Sequence, residues 1–201
     1  MLDVGANIEL RPEHIEEIAI FGATISKEVL GVENPKVGLL NIGTEEGKGR
    51  VVDQETYEVL KNSKHVNFFG NIEPKEMLMS ECDVFVTEGF TGNMVMKTME
   101  GTAKTMGKIL KEEIKSSLGG IIGYLFMRKA LKRFAKRMDA SEVGGAMIVG
   151  VPTPVVKAHG SSDPIAFKNA IRQARLMVET DLINKVVSKL PKKEASNNET
   201  V

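Results

Sequence analysis

Short apolar runs that end in small, glycine-bearing loops constrain this chain more than any other feature. Lys36 to Ile42 is one such run, and it opens into GTEEGKGR; Asp83 to Thr87 is another, followed by EGFTGN at 88–93. His65 to Phe69 runs into Gly70-Asn71, and Leu2 to Val4 reads as the end of a buried strand with its turn at Gly5 and Asn7. Helical spacing fills the gaps. Pro12 suits a first turn, Ile15, Ile18, Ala19, Gly22, Ile25 and Val29 follow on one face, and Gly31 marks the stop. Thr56–Lys61 and Pro74–Ser80 read as short helices. Strands alternating with helices predict βαβ units and a parallel sheet. Right-handed crossovers then place every strand C-terminus on one edge, where open α/β sheets bind ligands. Four loops of the same character on that edge would line one site.

The chemistry of two loops is specific enough to read. Gly43, Gly47 and Gly49 surround Thr44, Glu45, Glu46 and Lys48, and backbone N–H groups with one lysine suit a phosphate. The plain alternative is a glycine-rich turn with a solvated lysine. In EGFTGN, Gly89 and Gly92 allow backbone to approach a ligand, and Thr91 or Asn93 could cap the next helix. A helix N-terminus binds anions through its free N–H groups; a capped helix with no ligand is the competing reading. That helix is predicted to reach about Lys115, with Met94, Met96, Met99, Met106, Ile109 and Leu110 as core filler.

Leu118 to Met138 is different in kind. It carries Arg128, Lys129, Lys132, Arg133, Lys136 and Arg137 and no acid, while Met127, Leu131, Phe134 and Met138 share one helical stripe. With the apolar LGGIIGYLF before it, the segment fits an interfacial helix placing Ile121, Ile122, Leu125, Phe126, Leu131 and Phe134 among lipid headgroups. Docking of an acidic protein, or a helix with a solvated basic face, would use the same pattern. Beyond it, the chain after Gly144-Gly145 reads as a loop and Pro154–Ala158 as a last strand. Asp163 and Pro164 are an N-cap and N1 pair, opening a helix that turns Ile165, Phe167, Ala170, Ile171, Ala174 and Val178 inward. His159 and Ser161 lack an acidic third member at fixed spacing, so a structural or ligand-positioning histidine is favoured over a triad.

Composition removes several classes. Lys+Arg and Asp+Glu both number 27, so global charge selects no partner. Scarce aromatics argue against a base-stacking nucleic-acid surface. Cys82, the single cysteine, excludes an internal disulfide framework, fits a reducing cytoplasm and is read as core. No spacing of His, Cys and carboxylates points to a metal. No G-x-G-x-x-G follows a predicted strand, which disfavours a nucleotide-dependent dehydrogenase. The opening MLDVGAN starts at a strand-to-loop junction, so further sequence upstream, or another chain, is expected to complete the sheet.

LDVGAN, NPKVGLLNIGTEEGKG, EGFTGNMVMKTMEG and VVKAHGSSDPIAFKNAIRQA resemble, in order, the bacterial phosphate acyltransferase family of phospholipid synthesis (PlsX). The resemblance implies a Rossmann-like α/β/α sandwich related to the isocitrate and isopropylmalate dehydrogenases. It would be one catalytic domain over 1–190, truncated at its N-terminus, with a protruding amphipathic insertion at 116–138 and a disordered tail at 191–201. It implies transfer of a fatty acyl group from acyl carrier protein to inorganic phosphate, without a cofactor. A homodimer is implied too, in the cytoplasm and peripherally on the membrane, near the acyltransferase that acylates glycerol 3-phosphate; nucleic acid has no role. The family's catalytic lysine falls on Lys48 and its asparagine on Asn93. Asn7, Gly43, Thr44, Glu46, Gly89, Thr91, Gly92 and His159 are implied to bind or position substrate. Family members carry about 130 further residues upstream, and a usual late-loop tyrosine is here Val143. An inactive fragment that only binds membrane or carrier protein is the alternative.

Overall fold

The computed structural model describes residues 1–137, 144–160 and 162–191; the expectations for Met138, Val143, Ser161 and the tail beyond 191 lie outside them. The chain forms two compact units, Met1–Gly92 with Met177–Val201, and Asn93–Leu176.

The first unit is built on three parallel strands, β1 (Lys36–Leu40), β2 (Asn67–Ile72) and β3 (Val84–Val86), in the order β2-β1-β3. Leu2 adds a parallel bridge on the far side of β3: its N–H donates to Phe85 O at 2.8 Å and its carbonyl accepts from Thr87 N at 2.7 Å. Leu2 thus pairs with β3 as the strand character of the opening residues predicts, while Asp3 and Val4 lie outside any strand. Val37, Gly38, Leu39 and Leu40 are all buried, as expected of a central strand covered on both faces.

Helix α1 (Pro12–Glu28) begins at its proline and buries Ile15, Ile18, Ala19, Phe21 and Gly22. A Cβ on Gly22 would meet Val84 Cγ1 at 2.6 Å, so the missing side chain lets the helix lie directly on β3. Gly31, at φ 75°, takes the left-handed turn that ends the helix region. Helix α2 (Val51–Asn62) packs against α1 and β2 through buried Thr56, Tyr57 and Leu60. Burial of an Ile20- or Leu60-sized side chain stabilises by about 1.5–3 kcal/mol.

Three local expectations need correction in this unit. Helix α2 starts five residues before Thr56, because the Asp53 carboxylate accepts the Arg50 backbone N–H at 2.7 Å and caps the turn there. Strand β2 continues through Gly70-Asn71, since pairing with β1 overrides their turn propensity; the register slips between Val37 and Gly38, and Gly70 takes φ 119°. Pro74–Ser80 forms successive turns (Glu76 N to Glu73 O, Met79 N to Glu76 O) rather than a helix.

Helix α3 (Gly89–Lys115) runs from the first unit into the second, which also holds α4 (Leu118–Arg137), β4 (Gly145–Ile148), β5 (Val155–Ala158) and most of α5 (Pro164–Glu179). A short α6 (Leu182–Val187), missed by the sequence reading, packs on α1, with Lys185 paired to Glu28. Residues from Gly145 are a strand and not a loop, forming an antiparallel hairpin with β5. A Cβ on Gly144, at φ 93°, would strike the Ala170 backbone N at 2.5 Å, so glycine is required there. Asp163 caps α5 as predicted, accepting Ala166 N at 2.7 Å. On α5 Ala170 is buried as expected and Ala174 partly so, but Ile165, Phe167, Ile171 and Val178 are exposed, and Ala166 and Met177 are buried in their place. The methionine stripe of α3 is likewise open, with Met94, Met96, Met106, Ile109 and Leu110 all exposed. On α3 the buried residues are Gly89 and Gly92, at its start, so hydropathy alone does not rank burial.

Candidate functional site

Because the strands are parallel, the segments after Leu2, β1 and β3 leave the sheet on one edge. The first is a tight turn closed by Asp3. Its carboxylate accepts the N–H groups of Gly5, Ala6 and Asn7, each at 2.8 Å, and Asn7 Nδ2 at 3.1 Å. Burial by itself would raise this carboxyl, but the N–H donors of Ala6, Asn7 and Gly5 outweigh it and hold it below the ordinary range. Asp3 thus keeps its charge as the anchor of the turn.

The start of α3 seats this turn. Gly89 N–H donates to Asn7 O at 2.8 Å. A Cβ on Gly89 would collide with that same oxygen, and one on Gly92 with the carbonyl oxygen of Asp3. Both glycines permit a close backbone approach, as the sequence pattern predicts, but the partner is the chain's own Asp3–Asn7 segment. The helix also starts earlier than expected, and Glu88 caps it in place of Thr91 or Asn93. The Glu88 carboxylate accepts Thr91 N at 3.0 Å and Thr91 Oγ1 at 2.6 Å.

The lysine loop after β1 is held from beneath by two buried amides. Asn41 Nδ2 donates to Lys48 O at 3.1 Å and to Asn71 Oδ1 at 3.1 Å, and Asn71 Nδ2 donates to Glu45 O at 2.8 Å. Gly49 sits at φ 91°, where a Cβ would lie 2.6 Å from Asn41 Oδ1. Above this base Lys48 is about half exposed; its ammonium stands 3.9 Å from Glu45 Oε1, too long for a strong pair. Glu46 turns to α2, where Lys61 Nζ reaches both its oxygens at 3.1 Å and Tyr57 Oη donates at 3.1 Å. Those bonds, Lys61 first, keep the Glu46 carboxyl below its usual range. Gly43 is buried under the Lys48 side chain, and Thr44 is exposed.

Arg50 joins the loops, a role the sequence reading did not assign. Its guanidinium bonds Asp53 through Nε (2.9 Å) and Nη2 (2.8 Å), and Nη2 also reaches Glu88 Oε1 at 3.1 Å. Asp53 chiefly, and Glu88, push the Arg50 pKa upward. Burial would raise the Asp53 carboxyl, but the Arg50 bonds bring it below the ordinary range. Two open clefts flank this group. One of about 340 Å³ is lined by Asn41, Ile42, Gly49, Arg50, Pro74 and Thr91 among others. The second, about 270 Å³, includes Leu10, Ile15, Leu39 and Val52 beside Glu9 and Glu88. Arg50, Asp53 and Thr87 line both.

Lys48, Gly43, Thr44, Glu46, Asn7, Gly89, Thr91 and Gly92 therefore belong to one unit and mostly to one edge of its sheet. Asn93 and His159 belong to the second unit. Asn93 is half-buried in the first turns of α3, and His159 is exposed at the end of β5, its carbonyl accepting Ser162 N at 3.0 Å. On α4, Ile121, Ile122, Leu125, Phe126 and Phe134 are exposed and Leu131 partly so, while Arg128, Lys129, Lys132 and Arg133 are exposed too. No described helix is long and apolar enough to cross a membrane. Among the described residues no group of three His, Cys, Asp or Glu could hold a metal ion.

A small parallel sheet with helices, whose strand-end loops carry a half-exposed lysine, capped turns and a cleft, makes this an α/β protein. The chain belongs to the family described as fatty acid synthesis protein, which matches residues 1–185. It is 56% identical over 187 residues to a protein of Acholeplasma laidlawii named phosphate acyltransferase, covering 92% of this chain and 56% of that one. A Clostridium perfringens protein of the same name is 46% identical over 201 residues, covering 100% of this chain and 59% of the relative. A third, from Staphylococcus aureus, is 47% identical over 182 residues, 90% of this chain and 56% of its own. The chain spans less than two thirds of the length of these curated relatives.

Proposed function

We propose that this chain carries the phosphate-holding part of an acyltransferase site, in a protein that moves a fatty acyl group from acyl carrier protein to inorganic phosphate. The observation that carries the reading is the lysine loop: Lys48, half exposed, stands on a buried amide base at the ligand edge of a parallel sheet. The names of its relatives supply the reaction class. The chemistry needs no enzyme nucleophile, because a phosphate oxygen attacks the thioester carbonyl. The C–O bond forms, the C–S bond breaks, and the carrier's thiol leaves with a proton while acyl phosphate remains. Such a reaction needs an anion held beside a carbonyl and donors for the developing oxyanion. Lys48 offsets the phosphate charge. Asn7, Gly43, Thr44, Glu46, Gly89, Thr91 and Gly92 shape or position the site; the family resemblance adds Asn93, to polarise the carbonyl or orient phosphate, and His159 as a positioning group. The fold is read as part of a Rossmann-like α/β/α sandwich of the isocitrate dehydrogenase kind, in a single catalytic domain that acts as a homodimer.

The α4 surface supports a further element of this reading, peripheral contact with anionic lipid in the cytoplasm. Exposed Phe126 and Leu125 lie on the same helix as four exposed cations, the combination that binds at a headgroup boundary. Acyl-phosphate formation from acylated carrier protein and inorganic phosphate, with and without Lys48, tests the reaction. Turnover undiminished by Lys48→Ala would remove the lysine from it.

A further inference from the structure

The amide pair under the lysine loop is built with more care than a surface turn needs. Asn41 and Asn71 are 6% and 4% exposed, so each polar atom left unbonded would cost the full desolvation of that atom. None is left so. Asn41 Nδ2 spends its two hydrogens on Lys48 O and Asn71 Oδ1, and Asn41 Oδ1 accepts Ile42 N–H at 2.8 Å. Asn71 Nδ2 reaches Glu45 O. Glu45 O also accepts the Lys48 N–H at 3.1 Å, so the two carbonyls gripped by the pair bracket the turn that carries the lysine.

The sheet is modified to bring the pair together. In parallel strands, paired residues share a face and side chains alternate along each strand. The register Val37↔Phe68, then Gly38↔Gly70, leaves Phe69 as an extra residue, and Asn71 consequently pairs with Leu39. Asn41 lies two residues beyond Leu39 and so on the same face. Without the bulge Asn71 would pair with Leu40 and point to the other side of the sheet. Gly70 supplies the φ of 119° that the irregularity requires. Opposite, Gly49 leaves room for Asn41 Oδ1.

We infer that Asn41 and Asn71 are positioning residues, a buried clamp that fixes the Glu45–Lys48 turn and thereby places the Lys48 ammonium for a bound phosphate. The inference rests on the phosphate role proposed for Lys48, and its test separates the two. Asn71→Leu keeps the size of the side chain and removes both polar atoms. In that variant, which loses the bond to Glu45 O and the one from Asn41 Nδ2, amide hydrogen exchange across residues 43–49 should quicken about tenfold or more. The amides of β1 and β3 should stay protected. Calorimetric titration of the chain with inorganic phosphate should show affinity lower by about tenfold in Asn71→Leu and lost in Lys48→Ala. If Asn71→Leu does not fold, Asn71→Ser, too short to reach the Glu45 carbonyl, takes both measurements. Loop exchange equal to wild type overturns the clamp. A loosened loop with undiminished phosphate affinity overturns its positioning role. Equal phosphate binding by wild type and Lys48→Ala defeats the lysine reading and with it the positioning role, leaving the clamp to be judged on exchange alone.

Discussion

Replacing Gly92 by alanine should loosen the opening segment from the sheet and destabilise the protein, against the normal helical preference. Gly92 lies inside α3, where exchanging glycine for alanine ordinarily gains about 1 kcal/mol. Here the new Cβ would overlap the Asp3 carbonyl oxygen, a backbone atom with no rotamer to escape through. Relief requires the segment to withdraw. It would then lose the bonds Leu2 N–Phe85 O, Asp3 N–Thr87 O, Thr87 N–Leu2 O and Gly89 N–Asn7 O, which span 2.7–2.8 Å. At about 0.5–1.5 kcal/mol each these amount to about 2–6 kcal/mol, or about 1–5 kcal/mol net of the helical gain. Urea unfolding followed by circular dichroism measures the difference. The same substitution in a chain lacking residues 1–7 provides the control, since the clashing oxygen is gone and alanine should be neutral or stabilising. A Gly92→Ala protein as stable as wild type in the full chain would refute the close packing of Asp3 on α3.

Asp3 should also give the fold a measurable acid dependence. Its folded pKa is lowered, so its contribution is present above the unfolded value near about 4 and is lost as pH falls through the folded value. The stability gap between wild type and Asp3→Asn should therefore narrow below about pH 4; a gap constant from pH 6 to pH 3 would exclude the carboxylate as the anchor. On α4, Phe126→Asp with Leu131→Asp should release the protein from anionic vesicles in a flotation assay. Unchanged flotation would leave the helix without its lipid role.

The α/β class, the first helix, the central strand and three of the four loops expected at one edge were legible because periodicity and punctuation agree there. Of Leu2 to Val4, read as a strand end, only Leu2 makes a β-bridge, because the Asp3 carboxylate draws the following residues into a turn. The failures have a common source in tertiary pairing. Gly70-Asn71 has the composition of a turn, yet hydrogen bonds to β1 keep it in β2. Nothing local in Gly145–Ile148 announces a strand until β5 pairs with it. Several apolar α3 and α5 residues read as core are open, and on α5 it is Ala166, Ala170 and Met177 that are buried. For the site, glycine spacing pointed to the lysine loop. The clamp joins Asn41 to Asn71 thirty positions away and the Arg50–Glu88 tie spans thirty-eight, distances at which sequence pattern carries no signal.

Acyl-phosphate formation from acylated carrier protein and inorganic phosphate tests the central claim most directly. Lys48→Ala should be made in the chain extended to its relatives' full length and compared with the unsubstituted protein. The expected result is a fall in rate of about 10²–10³-fold, the scale of losing a charge-stabilising group, with the circular dichroism spectrum unchanged. Equal rates in the two proteins would contradict the assignment of phosphate to the loop that Lys48 crowns.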